Sequence, residues 1–462
     1  MSLNDTISAI ATPLGYSGIG IVRMSGSQSI SVAKKIFQPP QDRKINWKSS
    51  FTIHYGWIIN PKTGEYVDEV LLTLMRAPKT YTREDIVEIN CHGGSVSLRK
   101  ILNLTLKWGA RLAEPGEFTK RAFLNGRIDL TQAESVLDIV QAKTEKGLEA
   151  ALNQLEGGLS KKINFLEEEI IKLLSDFEAE IDFAYEDIKF LSPKEAKKHL
   201  YKILVDINSL LEMNQMDKIY REGVKVVITG KPNVGKSTLL NALLQRERAI
   251  VTPIPGTTRD TIEEMINIKG FPLRIIDTAG LKKTKNAVEK EALERTYLKL
   301  EEADITLLML DGSLPLNGED NYLFKKIKKR ETLAVINKID LPQRIDKEKV
   351  VSLFPEEKII EISAKEEINL QKLIQKVANL MLKEIVPSFS DSRITVNLRQ
   401  KKILEKVKKN INRALQGIDK NLPRELISFE LREGLKRLGE ITGKEINEKI
   451  LNNIFSHFCI GK

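Results

Sequence analysis

The chain has 462 residues, with 73 Lys and Arg against 63 Asp and Glu, a net charge of +10, and 41% hydrophobic but only 6% aromatic side chains. That length exceeds a single hydrophobic core and predicts two to four domains. Two cysteines, Cys91 and Cys459, exclude a disulfide framework and suit a reducing cytoplasm, and apolar runs such as 305–310 are too short to cross a bilayer.

No basic-then-apolar leader opens the chain, so a soluble cytoplasmic protein is expected. The basic excess suits an anionic partner, but runs such as Lys325-Lys326-Ile327-Lys328-Lys329-Arg330 equally describe a solvated helix face. Within 1–119, the segments 6–11, 19–23, 67–74 and 85–89 read as strands, and 29–36 and 95–108 read as helices between them. This is a separate α+β domain. Cys91-His92-Gly93-Gly94 lacks the ligand spacing of a metal site and is expected to be structural.

From 120 to 219 the sequence turns helical. Leu148, Leu152, Leu155, Leu159, Ile163, Leu166, Ile170, Leu173, Phe177 and Ile181 form one apolar stripe, with Gly157-Gly158 as a kink or break. Leu431, Leu435, Leu438 and Ile441 repeat the pattern within 383–462. The two halves are expected to pack together as one split helical domain, with the module at 220–382 inserted between them.

That module opens on a strand, Val224-Lys225-Val226-Val227-Ile228, then Gly230-Lys231-Pro232-Asn233-Val234-Gly235-Lys236-Ser237, then a helix beginning Thr238-Leu239-Leu240. Strand, G-x-x-x-x-G-K-S and helix in that order predict a phosphate-binding loop. Its backbone N–H groups and the helix N-terminus would cradle phosphates, Lys236 would reach the β/γ positions, and Ser237 would ligate Mg²⁺. Thr252-Pro253-Ile254-Pro255-Gly256-Thr257-Thr258 lies where switch I belongs, with Thr258 as the second Mg²⁺ ligand. The next strand ends in Asp277-Thr278-Ala279-Gly280, where Asp277 would hold Mg²⁺ through water and the Gly280 N–H would sense the γ-phosphate.

Asn337-Lys338-Ile339-Asp340 follows another apolar strand. Asp340 can accept from N1–H and the 2-amino group of guanine, donors that adenine lacks, and Lys338 would lie along the base. Ser363-Ala364-Lys365 ends a third strand, and its Ala364 N–H would cover the guanine O6. Four motifs in this order predict a Ras-like α/β P-loop GTPase. After Gly280, however, come Leu281, Lys282 and Lys283, none of which can orient an attacking water. Glu289 and Glu291 are the nearby carboxylates, and reach alone does not choose between them.

The chain ends Cys459-Ile460-Gly461-Lys462. A terminal Lys does not fit a prenylation box; a cysteine near Lys462 and His457 suits a nucleophilic or redox thiol, but on these residues alone a disordered or merely packed tail is the favoured reading. This tetrapeptide, the inserted GTPase and the leading α+β domain together resemble the MnmE (TrmE) family of tRNA modification GTPases. Ala11-Thr12-Pro13, Gly20-Ile21-Val22-Arg23, Tyr81-Thr82-Arg83-Glu84-Asp85, His92-Gly93-Gly94, Pro115-Gly116-Glu117-Phe118 and 121–127 carry the same resemblance, which covers essentially the whole chain.

The resemblance implies work with a flavin-dependent partner, MnmG (GidA), that places an aminomethyl-type group, typically carboxymethylaminomethyl, on C5 of the wobble uridine of certain tRNAs. It implies that 1–119 forms a homodimer and binds 5-formyltetrahydrofolate or a related one-carbon folate, through Arg23, Glu88 and Arg127, with Lys462 reaching in. It marks Cys459 as a functional thiol and maps the water-orienting glutamate to Glu289. It also implies K⁺ stimulation, with the cation held by Asn233, Thr252, Ile254 and Thr257 once two GTPase domains pair. The competing class is an RNA-binding, ribosome-assembly GTPase of the Era type, which predicts a C-terminal KH domain with a G-x-x-G loop. No G-x-x-G occurs after Pro387, where the glycines are Gly417, Gly434, Gly439, Gly443 and Gly461.

Overall fold

The computed structural model describes residues 5–182, 191–247, 263–277, 303–327, 331–385 and 394–462. The chain forms two compact units, one of Met1–Leu137, Leu155–Leu200 and Lys406–Lys462, the other of Asp138–Gln154 and Tyr201–Glu405.

The first unit is built on a sheet of β1 (Ile7–Ile10), β2 (Gly20–Ser25), β3 (Phe37–Gln38), β4 (Thr52–Ile59), β5 (Tyr66–Met75), β6 (Ile86–Cys91) and β7 (Arg111–Leu112). Their order is β3-β4-β5-β6-β2-β1-β7, antiparallel except where β7 joins β1. Helices α1 (Ser29–Ile36) and α2 (Ser95–Lys107) contribute Ile30, Val32, Leu98 and Ile101 to a core with Val22, Met24, Leu72, Leu74 and Ile89. The expected strands and helices of this region form within two residues of their anticipated ends. The long strand β4 was not anticipated. Phe51, Ile53 and Tyr55 are exposed while Gly56 and Ile58 are buried, so β4 lacks the apolar-in, polar-out alternation that marks a strand in sequence.

Helices α3 (Glu117–Leu124), α4 (Leu130–Gln141), α5 (Glu145–Leu155) and α6 (Gly158–Asp182) follow. The apolar stripe therefore runs over two helices, because Gly157 takes φ +88°, a left-handed value that ends α5. On α6 the expected Leu159, Ile163, Leu166, Ile170, Leu173 and Phe177 are buried. On α5 the inward residues are instead Ala150, Ala151 and Gln154, and Leu148 and Leu152 are exposed. Helical phase does not carry across a break.

Beyond α6 come α7 (Pro193–Glu212), α8 (Asn214–Glu222), α9 (Lys236–Glu247), α10 (Gly318–Ile327), α11 (Lys347–Leu353), α12 (Leu370–Glu384), α13 (Leu398–Asp419), α14 (Arg424–Thr442) and α15 (Glu448–Ser456). In the first unit α14 packs on α6, burying Leu431, Leu438 and Ile441. The Arg424 guanidinium lies 4.7 Å from the Phe177 ring centroid and pairs with Glu180 at 2.9 Å, and Arg432 pairs with Glu178 at 2.6 Å.

The second unit holds a sheet ordered β13-β12-β11-β8-β10-β9, from β8 (Val224–Gly230), β9 (Glu263–Ile268), β10 (Phe271–Asp277), β11 (Ile305–Asp311), β12 (Thr332–Asn337) and β13 (Ile359–Glu361). All neighbours are parallel except β9 and β10. Every residue of β11 and β12 is buried, as befits central strands covered on both faces. In such a sheet ligands bind beyond the carboxyl ends of the strands. Gly230, Asp311, Asn337 and Glu361 occupy those ends.

Candidate functional site

The loop between β8 and α9 is shaped by backbone that only small or special residues adopt. Gly235 has φ +97°, and a Cβ there would lie 2.4 Å from Asn337 Nδ2; Asn233 also sits at φ +62°. Lys236 Nζ donates to the carbonyls of Gly230 at 2.8 Å and Lys231 at 2.7 Å, so its ammonium lies inside the curl of the loop. Ser237 and Thr238 stand exposed on the first turn of α9. N–H groups at a helix start, a cation and a hydroxyl fit a phosphate with its Mg²⁺.

One buried side chain ties three motifs together. Asn337, 3% exposed, donates from Nδ2 to the Val234 carbonyl at 2.7 Å and accepts on Oδ1 from the Ala364 N–H at 2.9 Å. Lys338 Nζ reaches Asp311 at 2.6 Å. Burial would raise the Asp311 carboxyl, but Lys338 and Ser313 outweigh it and hold the group below its ordinary range. Asp340 is exposed, and the Ser363 hydroxyl, with the charges of Lys365 and Lys338, holds it below the usual carboxylate range. It is thus ionised and open to two N–H donors, as the guanine reading requires.

Two contacts here were not expected from sequence. Lys231 Nζ meets the buried Asp320 at 2.6 Å, which joins the phosphate loop to the start of α10. The Asp311–Lys338 pair did leave a signal, the one charged residue of β11, at its carboxyl end. Asp277 closes β10 in register with Ile228 of β8. Thr252, Pro253, Ile254, Pro255, Gly256, Thr257, Thr258, Thr278, Ala279, Gly280, Glu289 and Glu291 lie outside the described residues.

The first unit holds a second cluster, built around the end of the chain. After α15 the tail folds back so that the Gly116 N–H donates to the Cys459 carbonyl at 3.3 Å and the Phe118 N–H to the Lys462 carbonyl at 3.1 Å. Arg23 Nη1 donates to the Gly461 carbonyl at 3.3 Å, and its Nε pairs with Glu88 at 2.7 Å across β2 and β6. Gly461 has φ +94°, and a Cβ on it would fall 2.6 Å from the Ile10 carbonyl oxygen and 2.8 Å from Ala11 Cα. The Arg127 guanidinium lies 4.7 Å from the Tyr81 ring centroid. Burial pushes the Tyr81 hydroxyl up, against the opposing charges of Arg127 and Arg23. Arg23 and Glu88 are therefore brought together beside the main chain of Gly461, next to Lys462, while Arg127 lies against Tyr81. Two guanidiniums, a carboxylate, an aromatic ring and a chain-terminal lysine suit a flat polar heterocycle carrying an anionic tail.

Cys459 is a free, exposed thiol, and His457 Nδ1 engages the Asn453 carbonyl at 2.8 Å. Cys91 is buried, its Sγ–H donates to the Gly20 carbonyl at 3.4 Å, and burial pushes its thiol up to about 11. His92 Nδ1 pairs with Asp68 at 2.6 Å, which raises the ring above its ordinary value. No helix among the described residues is long and apolar enough to cross a membrane.

The family model described as the MnmE helical domain matches residues 130–459, and that of the GTP-binding protein TrmE N-terminus matches 6–127. The chain is 48% identical over 461 residues to the tRNA modification GTPase MnmE of Desulforamulus reducens, covering 100% of both. It is 46% identical to the protein of that description from Geobacillus kaustophilus over 99% of each chain, and 47% identical to that from Carboxydothermus hydrogenoformans over 100% of each. A solved complex of Era with MgGDPNP and a segment of 16S ribosomal RNA is 32% identical, covering 40% of this chain and 66% of its own. The TM-score of that likeness is 0.29.

Proposed function

Because this chain belongs to the MnmE family of tRNA modification GTPases, we propose that it is a K⁺-stimulated GTPase which, with a flavoprotein partner of the MnmG kind, installs a carboxymethylaminomethyl-type group on C5 of the wobble uridine of certain tRNAs. The observation that carries this reading beyond GTP hydrolysis is the docking of Cys459–Lys462 beside the Arg23–Glu88 pair.

In this proposal Asp340 and Lys338 select guanine, and the Ala364 N–H contacts its O6. Lys236 exchanges the Gly230 and Lys231 carbonyls for phosphate oxygens. Ser237 and Thr258 hold Mg²⁺, with Asp277 acting through water. Asn233, Thr252, Ile254 and Thr257 hold K⁺, which supplies positive charge where an arginine finger otherwise would. Glu289 orients the water that the segment after Gly280 cannot. Two copies pair through 1–119 and again, transiently, through their GTPase modules. Arg23, Glu88, Arg127 and Lys462 hold a one-carbon folate, such as 5-formyltetrahydrofolate, which would supply the one-carbon unit, and Cys459 is the reactive thiol beside it. The Era-type alternative is disfavoured by relatives that match end to end under the MnmE description.

GTP turnover measured in KCl and in NaCl at equal ionic strength tests the proposal. Turnover should rise steeply in K⁺, and equal rates in the two salts would remove the cation from the mechanism. Glu289→Ala should abolish turnover while GTP affinity is kept; normal turnover would move the role to Glu291 or to the partner protein.

A further inference from the structure

We propose that the outward ridge of α13, with the hollow at its end, is the surface that holds the tRNA backbone and one unstacked base. The inference rests on the reading of tRNA as the partner. Lys406, Lys409 and Arg413, three and four residues apart, lie on one face of α13, opposite the buried Val407, Ile411, Ala414 and Ile418, and Lys420, the residue after the helix, follows Arg413 by two turns with its N–H still bonded to the Gln416 carbonyl. All four are exposed, and they span about 21 Å at ~1.5 Å of rise per residue.

Their charges are largely unspent. Among the described residues no ion pair engages Lys406, Lys409 or Lys420, and Arg413 meets Glu430 only at 3.7 Å. The carboxylate at the helix end, Asp419, is already taken by Lys197. Glu405, four residues before Lys409, is the one carboxylate at ion-pairing spacing from the four cations, and among the described residues no ion pair joins the two.

The ridge ends in a hollow of about 310 Å³ whose walls include Arg413, Gln416, Lys420, Leu426, Phe429 and Glu430, the last a carboxylate that accepts from Asn410 at 2.7 Å and faces Arg413. Leu426 is 55% and Phe429 58% exposed, and both line the hollow. Lys436, also exposed, follows Phe429 by two helical turns on the same face of α14. A track of cations leading to an open aromatic ring is the arrangement that holds a nucleic-acid backbone while a splayed base stacks. An acidic helical partner would instead need an apolar seam along the ridge, and the residues on that face between Lys406 and Lys420 are Lys409, Arg413 and Gln416.

The test is fluorescence anisotropy of a labelled, unmodified tRNA transcript titrated with the full-length protein over a series of KCl concentrations. The combined variant Lys406→Gln, Lys409→Gln, Arg413→Gln, Lys420→Gln should flatten the slope of log affinity against log salt by roughly three, from ~0.7–0.9 per lost phosphate contact. Phe429→Ala should weaken binding at least about fivefold at every salt concentration with the slope unchanged. Far-UV circular dichroism and thermal unfolding that match the wild type establish that both variants fold.

A quadruple variant with wild-type slope and affinity would overturn the ridge while leaving the tRNA reading intact. Retained tRNA binding with lost association with the flavoprotein would overturn it in favour of a protein contact. A wild-type protein that binds no tRNA would also overturn it, and the modification reading is then judged separately from the nucleoside content of cellular tRNA.

Discussion

Gly461→Ala probes the docked tail without touching a side chain. Alanine at φ +94° costs roughly 1–2 kcal/mol in backbone strain alone. The added methyl would also stand 2.6 Å from the Ile10 carbonyl oxygen and 2.8 Å from Ala11 Cα, backbone atoms at the end of β1 that have little room to yield. Opposing this are three hydrogen bonds, from Gly116, Phe118 and Arg23 to the tail carbonyls, at about 1 kcal/mol each. The tail should fall from almost wholly docked to roughly half docked or less. Hydrogen exchange at the Gly116 and Phe118 amides reads this directly, since both donate to the tail and both should lose protection. Gly64→Ala is the control: φ is +72°, but a Cβ there meets nothing within 4 Å, so it carries the strain without the clash. GTP turnover should be unchanged in both variants. Unchanged protection of both amides in Gly461→Ala would refute the geometry from which the tail's role is argued.

Asn337→Ala would leave the Val234 carbonyl and the Ala364 N–H without their partner, at about 1–3 kcal/mol for each buried group. The two costs sum to about 2–6 kcal/mol, so GTP affinity measured by titration calorimetry should fall at least about thirtyfold, and an unaltered value would deny Asn337 its place as the clasp. Phe177→Ala, which empties a fully buried site beneath Arg424, should cost about 3–5 kcal/mol in denaturant unfolding of the first unit. A loss below 1 kcal/mol would mean that α6 and α14 do not share that core. The His92–Asp68 pair makes a pH-dependent claim. His92 is raised above 6.5, so its share of stability is full below that value and is lost as pH rises through the folded pKa. Asp68 is depressed below 3.8 because Ser97 and His92 outweigh its burial, so its share is present above that value and is lost as pH falls through the folded pKa. Asp68→Asn should return the His92 titration, followed by NMR, toward 6.5, and no movement would break the pair.

Legibility followed local chemistry. The strand–loop–helix around Lys236 and the carboxylate at Asp340 could be read because each needs particular residues at fixed spacing. The strands of the first sheet were visible where one face is apolar and the other polar, and β4 was missed because Phe51, Ile53 and Tyr55 make its outer face apolar as well. The misphased α5 has a different cause. Gly157 marks the break in sequence, but a left-handed φ resets helical phase, so counting from α6 does not place Leu148 and Leu152. Lys231–Asp320 and the clasp of Asn337 join residues far apart in sequence, and no spacing rule reaches that far. The tail's return to Gly116 and Phe118 is likewise long-range, although two glycines at positive φ, Gly116 and Gly461, mark both ends of the contact.

The claim at the centre is that a guanine-nucleotide switch here drives chemistry on the tRNA wobble uridine. Nucleoside analysis of bulk tRNA from cells lacking this protein tests it most directly, with cells complemented by the intact chain alongside. The modified wobble uridine should disappear in the first and return in the second. Tear-for-tear identical nucleoside profiles in the two strains would contradict the account.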